Sequence, residues 1–433
     1  MEWSAKQGIA WCWQHFARMV NGRFPGRALI FLVLLVRFPL LWLRRKPAPK
    51  QVRRVLVLHQ LLLGDALMAT SLLAKLRQQF PQAQLMLACP PGQVALYRSQ
   101  PYGLRALAWH PRDFASIWRL LLLAKFDCVY LVGENRLGFL ARALGARWVV
   151  GFAGERSSYK SLLVDQLIPY SGVPTAWSDT AATLVEGPAP RPFQLSDWPL
   201  DPLDHLTLPE RYAVLHVGAS SRTRFWPSEH WRALASELRV QGARVLWSCG
   251  PGERHLIAAV QPHADDVVQA GCLTLPQLRA VLARARVCIS TDTGVAHLAK
   301  VAGAPLLMLF GPGSETLFGA SYFFANSPCL GVGPALFPCR NQARMLQRPV
   351  AWVQRCHRPA GEGAGACAKA QCMAAISVAD VLGALLMLSR APLGACDPAP
   401  HCVPARGHLP LRRRVVGRSL GGALIYRVFS SIK

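Results

Sequence analysis

The succession strand, glycine-bearing turn, helix occurs in two blocks far apart in this chain, and that repetition limits the folds open to it. In the first block a leucine- and valine-rich run, Arg54–His59 (RVLVLH), leads to Leu63-Gly64-Asp65. A helical pattern follows at once: Ala69, Leu73, Leu76 and Phe80 recur at spacings of four, three and four, and Pro81 ends it. Strand character resumes at Gln84–Ala88, which makes a βαβ unit opening a parallel sheet. Runs at Cys128–Val132 and Trp148–Phe152 extend that sheet. Residues 171–206, rich in Pro, Ser and Asp without a clear period, read as an interdomain connection.

The pattern restarts at Tyr212–His216 (YAVLH), followed by a loop containing Gly218 and by a helix from near Pro227 that carries Trp231, Leu234 and Leu238. Strand Arg244–Ser248 leads into Cys249-Gly250-Pro251-Gly252-Glu253, and a helix opens at Thr274. Strand Val287–Ser290 leads into Thr291-Asp292-Thr293-Gly294 and a short helix that stops at Gly303. Leu306–Phe310 with Gly311-Pro312-Gly313 closes the series. Every suspected functional turn follows a strand's carboxyl end, where open α/β sheets place ligands.

These turns suit a phosphorylated ligand. Gly294 lets a phosphate approach the backbone at a helix start, Thr293 adds a hydroxyl, and His297 lies one turn on. Asp292 is equally readable as an ordinary helix cap, and His297 as a packing residue. Arg222 and Arg224 can offset a diphosphate, and Glu253 can accept ribose hydroxyls; exposed loop arginines and a solvated first-turn Glu are the plain alternatives. Asp65, at the other sheet's carboxyl edge, can take a proton from an attacking hydroxyl, or simply cap its helix. Cys339, Cys356, Cys367 and Cys372, with His357, are open to reading as zinc ligands, but their spacing is irregular and lacks Cys-x-x-Cys.

Charge and hydropathy narrow the partners. Lys and Arg outnumber Asp and Glu by 49 to 23, a formal net charge of +26, while 52% of residues are hydrophobic and 17% charged. Without a zinc finger, RNA-binding aromatic signature or recognition-helix pattern, an anionic membrane and phosphorylated substrates are expected rather than nucleic acid. Cysteines within apolar runs, such as Cys89, Cys128, Cys249 and Cys288, read as small buried hydrophobes of a reducing compartment. Ala28–Leu43 (ALIFLVLLVRFPLLWL) is apolar but interrupted by Arg37 and Pro39, and falls short of the roughly 20 residues that span a bilayer. Basic residues flank it, and Trp3, Trp11, Trp13 and Phe16 precede it, so residues 1–46 are expected to lie on an anionic leaflet. The rival reading packs this segment on the protein's own core. Residues 391–433, with Arg412-Arg413-Arg414, read as a flexible basic tail.

Four blocks together resemble glycosyltransferase family 9, the heptosyltransferases of lipopolysaccharide inner core: LLLGDALMATSLLAKLRQQFP (61–81), HVGASSRTRFWPSEHWRALA (216–235), SCGPGERHL (248–256) and ISTDTGVAHLAKVAGAPLLMLFGP (289–312). The resemblance covers roughly Val55 to Leu386 and implies an α/β fold of GT-B type, with two facing Rossmann-like domains of parallel sheet. The expected division is 1–50 interfacial segment and linker, 51–206 acceptor domain, 207–390 nucleotide-sugar domain with a cysteine-bearing insert, and 391–433 tail. By the same resemblance Asp65 is the general base of an inverting transfer. Arg224 stands where the family usually has a Lys before its Trp-Pro, here Trp226-Pro227; the charge is kept and the geometry altered. Gly218, Arg222, Gly250, Glu253, Asp292, Thr293, Gly294 and His297 fall to the nucleotide sugar.

Gly64, Arg136 and Lys160 fall to the acceptor, in a first half whose Arg142, Arg147 and Arg156 add positive charge. His59-Gln60-Leu61-Leu62 departs from the basic and small polar residues usual before Gly64. The expected activity is transfer of heptose from ADP-heptose to an anionic lipid-linked saccharide at the cytoplasmic face of the inner membrane, with no cofactor and no metal. A UDP-sugar donor, or a catalytically silent membrane-associated scaffold, are the alternatives.

Overall fold

The structure is a computed structural model that describes residues 23–43, 47–123, 125–202, 206–334 and 337–390. Trp3, Trp11, Trp13, Phe16 and the tail from 391 lie outside the described residues. The first series comprises helix α1 (Arg23–Leu43), strand β1 (Arg54–Leu58), helices α2 (Leu63–Met68) and α3 (Thr70–Gln79), strands β2 (Gln84–Cys89) and β3 (Arg105–Ala108), helix α4 (Phe114–Leu122), strand β4 (Cys128–Leu131), helix α5 (Gly138–Ala143), strands β5 (Trp148–Phe152) and β6 (Gln166–Ile168), and helix α6 (Trp177–Ala182). The second comprises β7 (Tyr212–His216), α7 (Ser228–Val240), β8 (Arg244–Cys249), α8 (Arg254–Val260), β9 (Val267–Ala270), α9 (Leu275–Arg284), β10 (Val287–Thr291), α10 (Gly294–Ala302), β11 (Leu306–Leu309) and β12 (Cys329–Val332). A two-stranded hairpin, β13 (Arg344–Met345) and β14 (Arg348–Pro349), and helix α11 (Val378–Arg390) follow, and short helical turns such as Pro91–Val94, Glu315–Phe318 and Gln371–Ala374 lie in the loops.

Each series builds one six-stranded sheet, in the orders β3-β2-β1-β4-β5-β6 and β12-β11-β10-β7-β8-β9. All pairings within both are parallel; Val55 stands beside Leu85 and Cys128, and Ile289 beside Leu215 and Leu307. Helices cover both faces, so central strands are buried throughout, as in Val287–Thr291, and read in sequence as unbroken apolar runs. The chain reverses its direction of winding between β1 and β4, and again between β7 and β10, leaving a crevice at each carboxyl edge. This is the GT-B arrangement of two Rossmann-like domains. The single helical pattern expected after Gly64 is broken at Ala69 into α2 and α3.

The connection 171–206 is more ordered than its composition suggests. It contains α6 and buries Trp177, Phe193 and Trp198, and one apolar cluster runs through these rings from the first sheet to the second. The Trp177 indole donates to the Asp65 carbonyl at 3.0 Å, and the Asp179 carboxylate accepts the amides of Tyr322 and Phe323 at 3.0 Å each. Helix α1 lies against the first domain: Gly26 sits on Ile117, Phe31 meets Phe139 edge-on with centroids 5.7 Å apart, and Arg37 donates to the Ala143 carbonyl at 2.8 Å. The packed alternative therefore holds for the inner face of this helix. No described helix is long and apolar enough to cross a membrane.

The β13–β14 hairpin, part of the cysteine-bearing segment, reaches back to the first domain. Fully buried Arg348 donates to the Gly133 carbonyl (2.7 Å) and Asn135 Oδ1 (3.0 Å) and pairs with Glu155 (3.1 Å). Removing one partner leaves the other charge buried and unpaired. Arg348→Ala is expected to destabilise the protein by about 3–5 kcal/mol, read as a lower denaturant midpoint, with part of the loss recovered on adding Glu155→Gln. An unchanged midpoint would refute this role.

Candidate functional site

Both crevices open onto one place. The loop after β1 supplies Gly64 and Asp65, and the turn after β10 supplies Asp292, Thr293 and Gly294. The starts of α2 and α10 meet there without room for a side chain: a Cβ on Gly64 would stand 2.7 Å from His297 Cδ2 and 3.4 Å from Gly294 Cα. A Cβ on Gly294 would stand 3.1 Å from Leu63 Cβ. Gly64 and Gly294 are thus glycines because two domains touch at them. Around Gly64, Gln60 donates to the Trp109 carbonyl and Gln93 to the Leu61 carbonyl, while burial holds the His59 imidazole neutral, with its pKa down at about 4.

Asp292 and His297 are buried beside this contact, Oδ1 to Nε2 at 3.7 Å. Burial works to raise the Asp292 carboxyl, but His297, Arg224 and Arg355 outweigh it and hold it below the usual range. Burial lowers His297 more than Asp292 raises it, so the imidazole is neutral at pH 7. Asp292 Oδ2 and His297 Nδ1 have no hydrogen-bond partner among the described residues. Thr293 takes the cap position of α10 without a side-chain bond to its amides, leaving the first-turn N–H groups for a ligand. Its hydroxyl is 3.3 Å from Ser290 Oγ.

Arg224 enters the same site, donating to the Asp292 carbonyl at 2.7 Å. Arg355, which the sequence reading did not single out, joins it from the segment after β14. Its guanidinium stacks 5.2 Å from the Phe318 centroid, and Phe318 in turn meets the His297 ring edge-on at 5.9 Å. The segment is held there by the Cys356 amide on the Pro312 carbonyl (2.9 Å) and by Arg340 on the carbonyls of Gly311 (2.7 Å) and Phe310 (2.8 Å). His357, next in the chain, is pushed down to about 4 by burial and then by Arg355, Arg224 and Arg344. The site is therefore cationic around two carboxylates.

Asp65 is the second carboxylate. Burial pushes it up to about 6; Arg355 opposes that, Asp292 adds to it, and Arg224 opposes it. A carboxyl of the first domain thus feels three charged groups of the second, as a residue at the floor of a shared cleft must.

Other expected residues stand differently. Glu253 accepts the amides of Ala219 (2.9 Å) and Gly250 (2.7 Å), tying the loops after β7 and β8 together, and side chains at Gly218 or Gly250 would run into its carboxylate. Arg222 is exposed and lines a groove of about 530 Å³ with Trp226, Leu256 and Lys369, away from Arg224. Past the ends of β4 and β5, Arg136 pairs with Glu134 (2.7 Å) and Lys160 with Glu155 (3.3 Å). Arg142 is structural, bonded to the carbonyls of Leu163 (3.2 Å) and Ala146 (2.9 Å). The Cys339 and Cys356 thiols are neighbours, but among the described residues no three His, Cys, Asp or Glu side chains are gathered as a metal site requires.

Known proteins resemble the chain in both sequence and fold. Residues 114–326 match the family described as glycosyltransferase family 9 (heptosyltransferase). That segment is heptosyltransferase-like, of glycosyltransferase family 9. It is 29% identical over 201 residues to lipopolysaccharide heptosyltransferase 1 of Pseudomonas aeruginosa, covering 43% of this chain and 55% of that protein. It is 22% identical over 274 residues to lipopolysaccharide heptosyltransferase 3 of Escherichia coli, covering 57% of this chain and 80% of that one. The alignment with the first relative thus spans only about half of its length. Among solved structures, E. coli ADP-heptose lipopolysaccharide heptosyltransferase II superposes with a TM-score of 0.58 at 16% identity, over 77% of this chain and 98% of that one. An E. coli heptosyltransferase solved with ADP gives 0.50 at 21% identity, over 60% and 88%. At these identities the superpositions speak for the fold.

The glycine contact can be tested directly. Gly64→Ala must separate the helix starts, and misplacement of about 1 Å is expected to cut turnover of a nucleotide-sugar donor about a hundredfold. Gly92→Ala, where a Cβ meets nothing within 4 Å, serves as the control and should leave turnover unchanged.

Proposed function

We propose that this protein is an inverting glycosyltransferase that moves heptose from ADP-heptose to a lipid-linked anionic saccharide, such as lipopolysaccharide core, at the cytoplasmic face of the inner membrane. The observation that carries the reading is the position of Asp65: a carboxyl raised to about 6, across the cleft from the uncapped start of α10 and in the field of Arg224 and Arg355. In this reading the donor's diphosphate lies on the first-turn amides of α10, between Arg224 and Arg355, with Thr293 and His297 beside it. The acceptor hydroxyl oxygen attacks the anomeric carbon from the opposite side. Asp65 takes the hydroxyl proton as the new C–O bond forms, the bond to the phosphate oxygen breaks, and ADP leaves with the electron pair. One such displacement inverts the anomeric centre. The negative charge gathering on the diphosphate is met by fixed cations and amides, without a metal in this scheme. Arg136 and Lys160, past the ends of β4 and β5, are assigned to the anionic acceptor.

A base must be ionised before it can act. With Asp65 at about 6, kcat/KM is expected to fall about tenfold per pH unit below 6 and to be level just above it. Asp65→Asn should cost about 10²–10⁴-fold in turnover. Because burial raises this carboxyl in the folded state, its ionised form opposes folding at neutral pH, so the same variant should melt at a higher temperature at pH 7–8. Equal turnover in wild type and variant would remove Asp65 from the chemistry, and no turnover in either would favour the silent scaffold.

Donor identity is open to a binding measurement. ADP should raise Tm and UDP should not, since only a ligand of the native state stabilises it by mass action. Arg224→Gln and Arg355→Gln should each weaken ADP binding about 10- to 100-fold, the worth of a charge-assisted hydrogen bond. Selective stabilisation by UDP would overturn the heptose assignment and leave the fold assignment intact.

A further inference from the structure

Helix α1 has two faces of opposite use. Its inner face is committed to the first domain: Gly26 on Ile117, Leu29 and Ile30 against the apolar cluster beneath, Leu34 buried, and Arg37 spent on the Ala143 carbonyl at 2.8 Å. That hydrogen bond turns the Arg37 charge inward. The outer face is apolar and uncovered, with Phe24 81%, Phe31 56%, Leu32 60%, Leu35 73% and Val36 72% exposed. On neighbouring α4, Trp118 (48%) and Leu122 (69%) are exposed as well. An apolar surface of this size on a folded domain marks a contact with something else.

Position and charge say what that is. Gly26 contacts the segment leading into α4, near the Pro111 carbonyl, and Phe31 contacts Phe139 in the first turn of α5. Those helix starts follow the carboxyl ends of β3 and β4, so the amino-terminal half of α1 lies at the edge of the domain that presents Asp65. The sequence around it is basic: residues 1–50 contain nine Lys or Arg and a single acid, Glu2. Arg27 and Arg119 are exposed on the two helices, with only Asp113 near Arg119, at 3.9 Å. A second copy of the chain would set one such basic surface against another. An anionic bilayer complements both its apolarity and its charge.

We infer that the outer face of α1, with Trp118 and Leu122 of α4, is a docking surface for an anionic lipid bilayer, lying flat on it and turning the Asp65 edge of the first domain toward lipid-linked acceptors. This deepens the membrane part of the proposed function and does not depend on the transfer chemistry. The contact uses residues of the folded domain, so it is more than an appended segment. Leu32, Leu35 and Val36 point outward, so their replacement leaves the packing of α1 in place.

The test is flotation of the full chain with vesicles of phosphatidylethanolamine and phosphatidylglycerol, compared with neutral phosphatidylcholine vesicles. The triple variant Leu32→Gln, Leu35→Gln, Val36→Thr, and separately Trp118→Gln with Leu122→Gln, should each bind the anionic vesicles at least tenfold more weakly than wild type, with unchanged Tm. Turnover on a soluble, delipidated acceptor should be unaffected, so failure of the transfer reading would be visible there while vesicle binding stood. Wild-type flotation by both variants would overturn the proposal, as would equal binding to neutral and anionic vesicles. Light scattering covers the rival occupant: a wild-type dimer that the triple variant converts to monomer would assign the face to a second copy instead.

Discussion

Two helix starts from different domains, α2 and α10, are pressed together until neither Gly64 nor Gly294 can carry a side chain. That contact brings the partly positive ends of two helices into one small volume, an arrangement that repels itself unless negative charge is placed between or beside them. Asp65 and Asp292 supply some of it. Arg224 and Arg355 then add positive charge back, and neutral His297 contributes none. The balance left over is cationic, and buried atoms such as Asp292 Oδ2 and His297 Nδ1 lack partners in the described protein. A site built this way calls for an anion beside its cations and a hydroxyl donor to Asp292 Oδ2, and the closeness of the two domains is what creates the demand.

The same closeness explains why a segment with little regular structure matters. Residues 337–370 contain only a hairpin of two-residue strands, isolated bridges and short turns, yet they place Arg348 in the first domain and Arg355 in the cleft. Arg348 and Glu155 hold the loops after β4 and β5, since Asn135 and Lys160 share the same network. The segment therefore couples the two halves mechanically and electrically. A shift of one domain against the other would move Arg355 relative to Asp65 and strain the Arg348 pair together.

How much of this could be read from the sequence follows from burial. The eight strands recognised in advance, β1, β2, β4, β5, β7, β8, β10 and β11, are those in the middle of the sheets, where both faces are covered and the residues form continuous apolar runs. Within the two six-stranded sheets the four not recognised, β3, β6, β9 and β12, are the four edges. Their sequences, RALA, QLI, VVQA and CLGV, are short and only half-buried, so hydrophobicity does not mark them. At the site, Asp65, Arg224, Asp292, Thr293 and His297 were legible because each follows a strong central strand. Arg355 was not, because the segment carrying it has no period to place it against. Glu253 shows the opposite limit: its position after β8 was evident, but sequence could not reveal that its carboxylate already binds the amides of Ala219 and Gly250.

Helix α1 shows why a charge inside an apolar run is ambiguous until its direction is known. Read linearly, Arg37 interrupts the run and argues against a spanning helix. In the folded chain it points toward the protein and satisfies the end of α5, so the face it leaves behind is more apolar than the sequence average suggests. The same guanidinium opposes spanning by a different route, because a helix bonded along one side to a folded domain cannot also be surrounded by lipid. What remains is a helix with one face in protein and the other exposed, its orientation set by the Arg37 hydrogen bond together with the packing of Gly26, Leu29, Ile30 and Leu34.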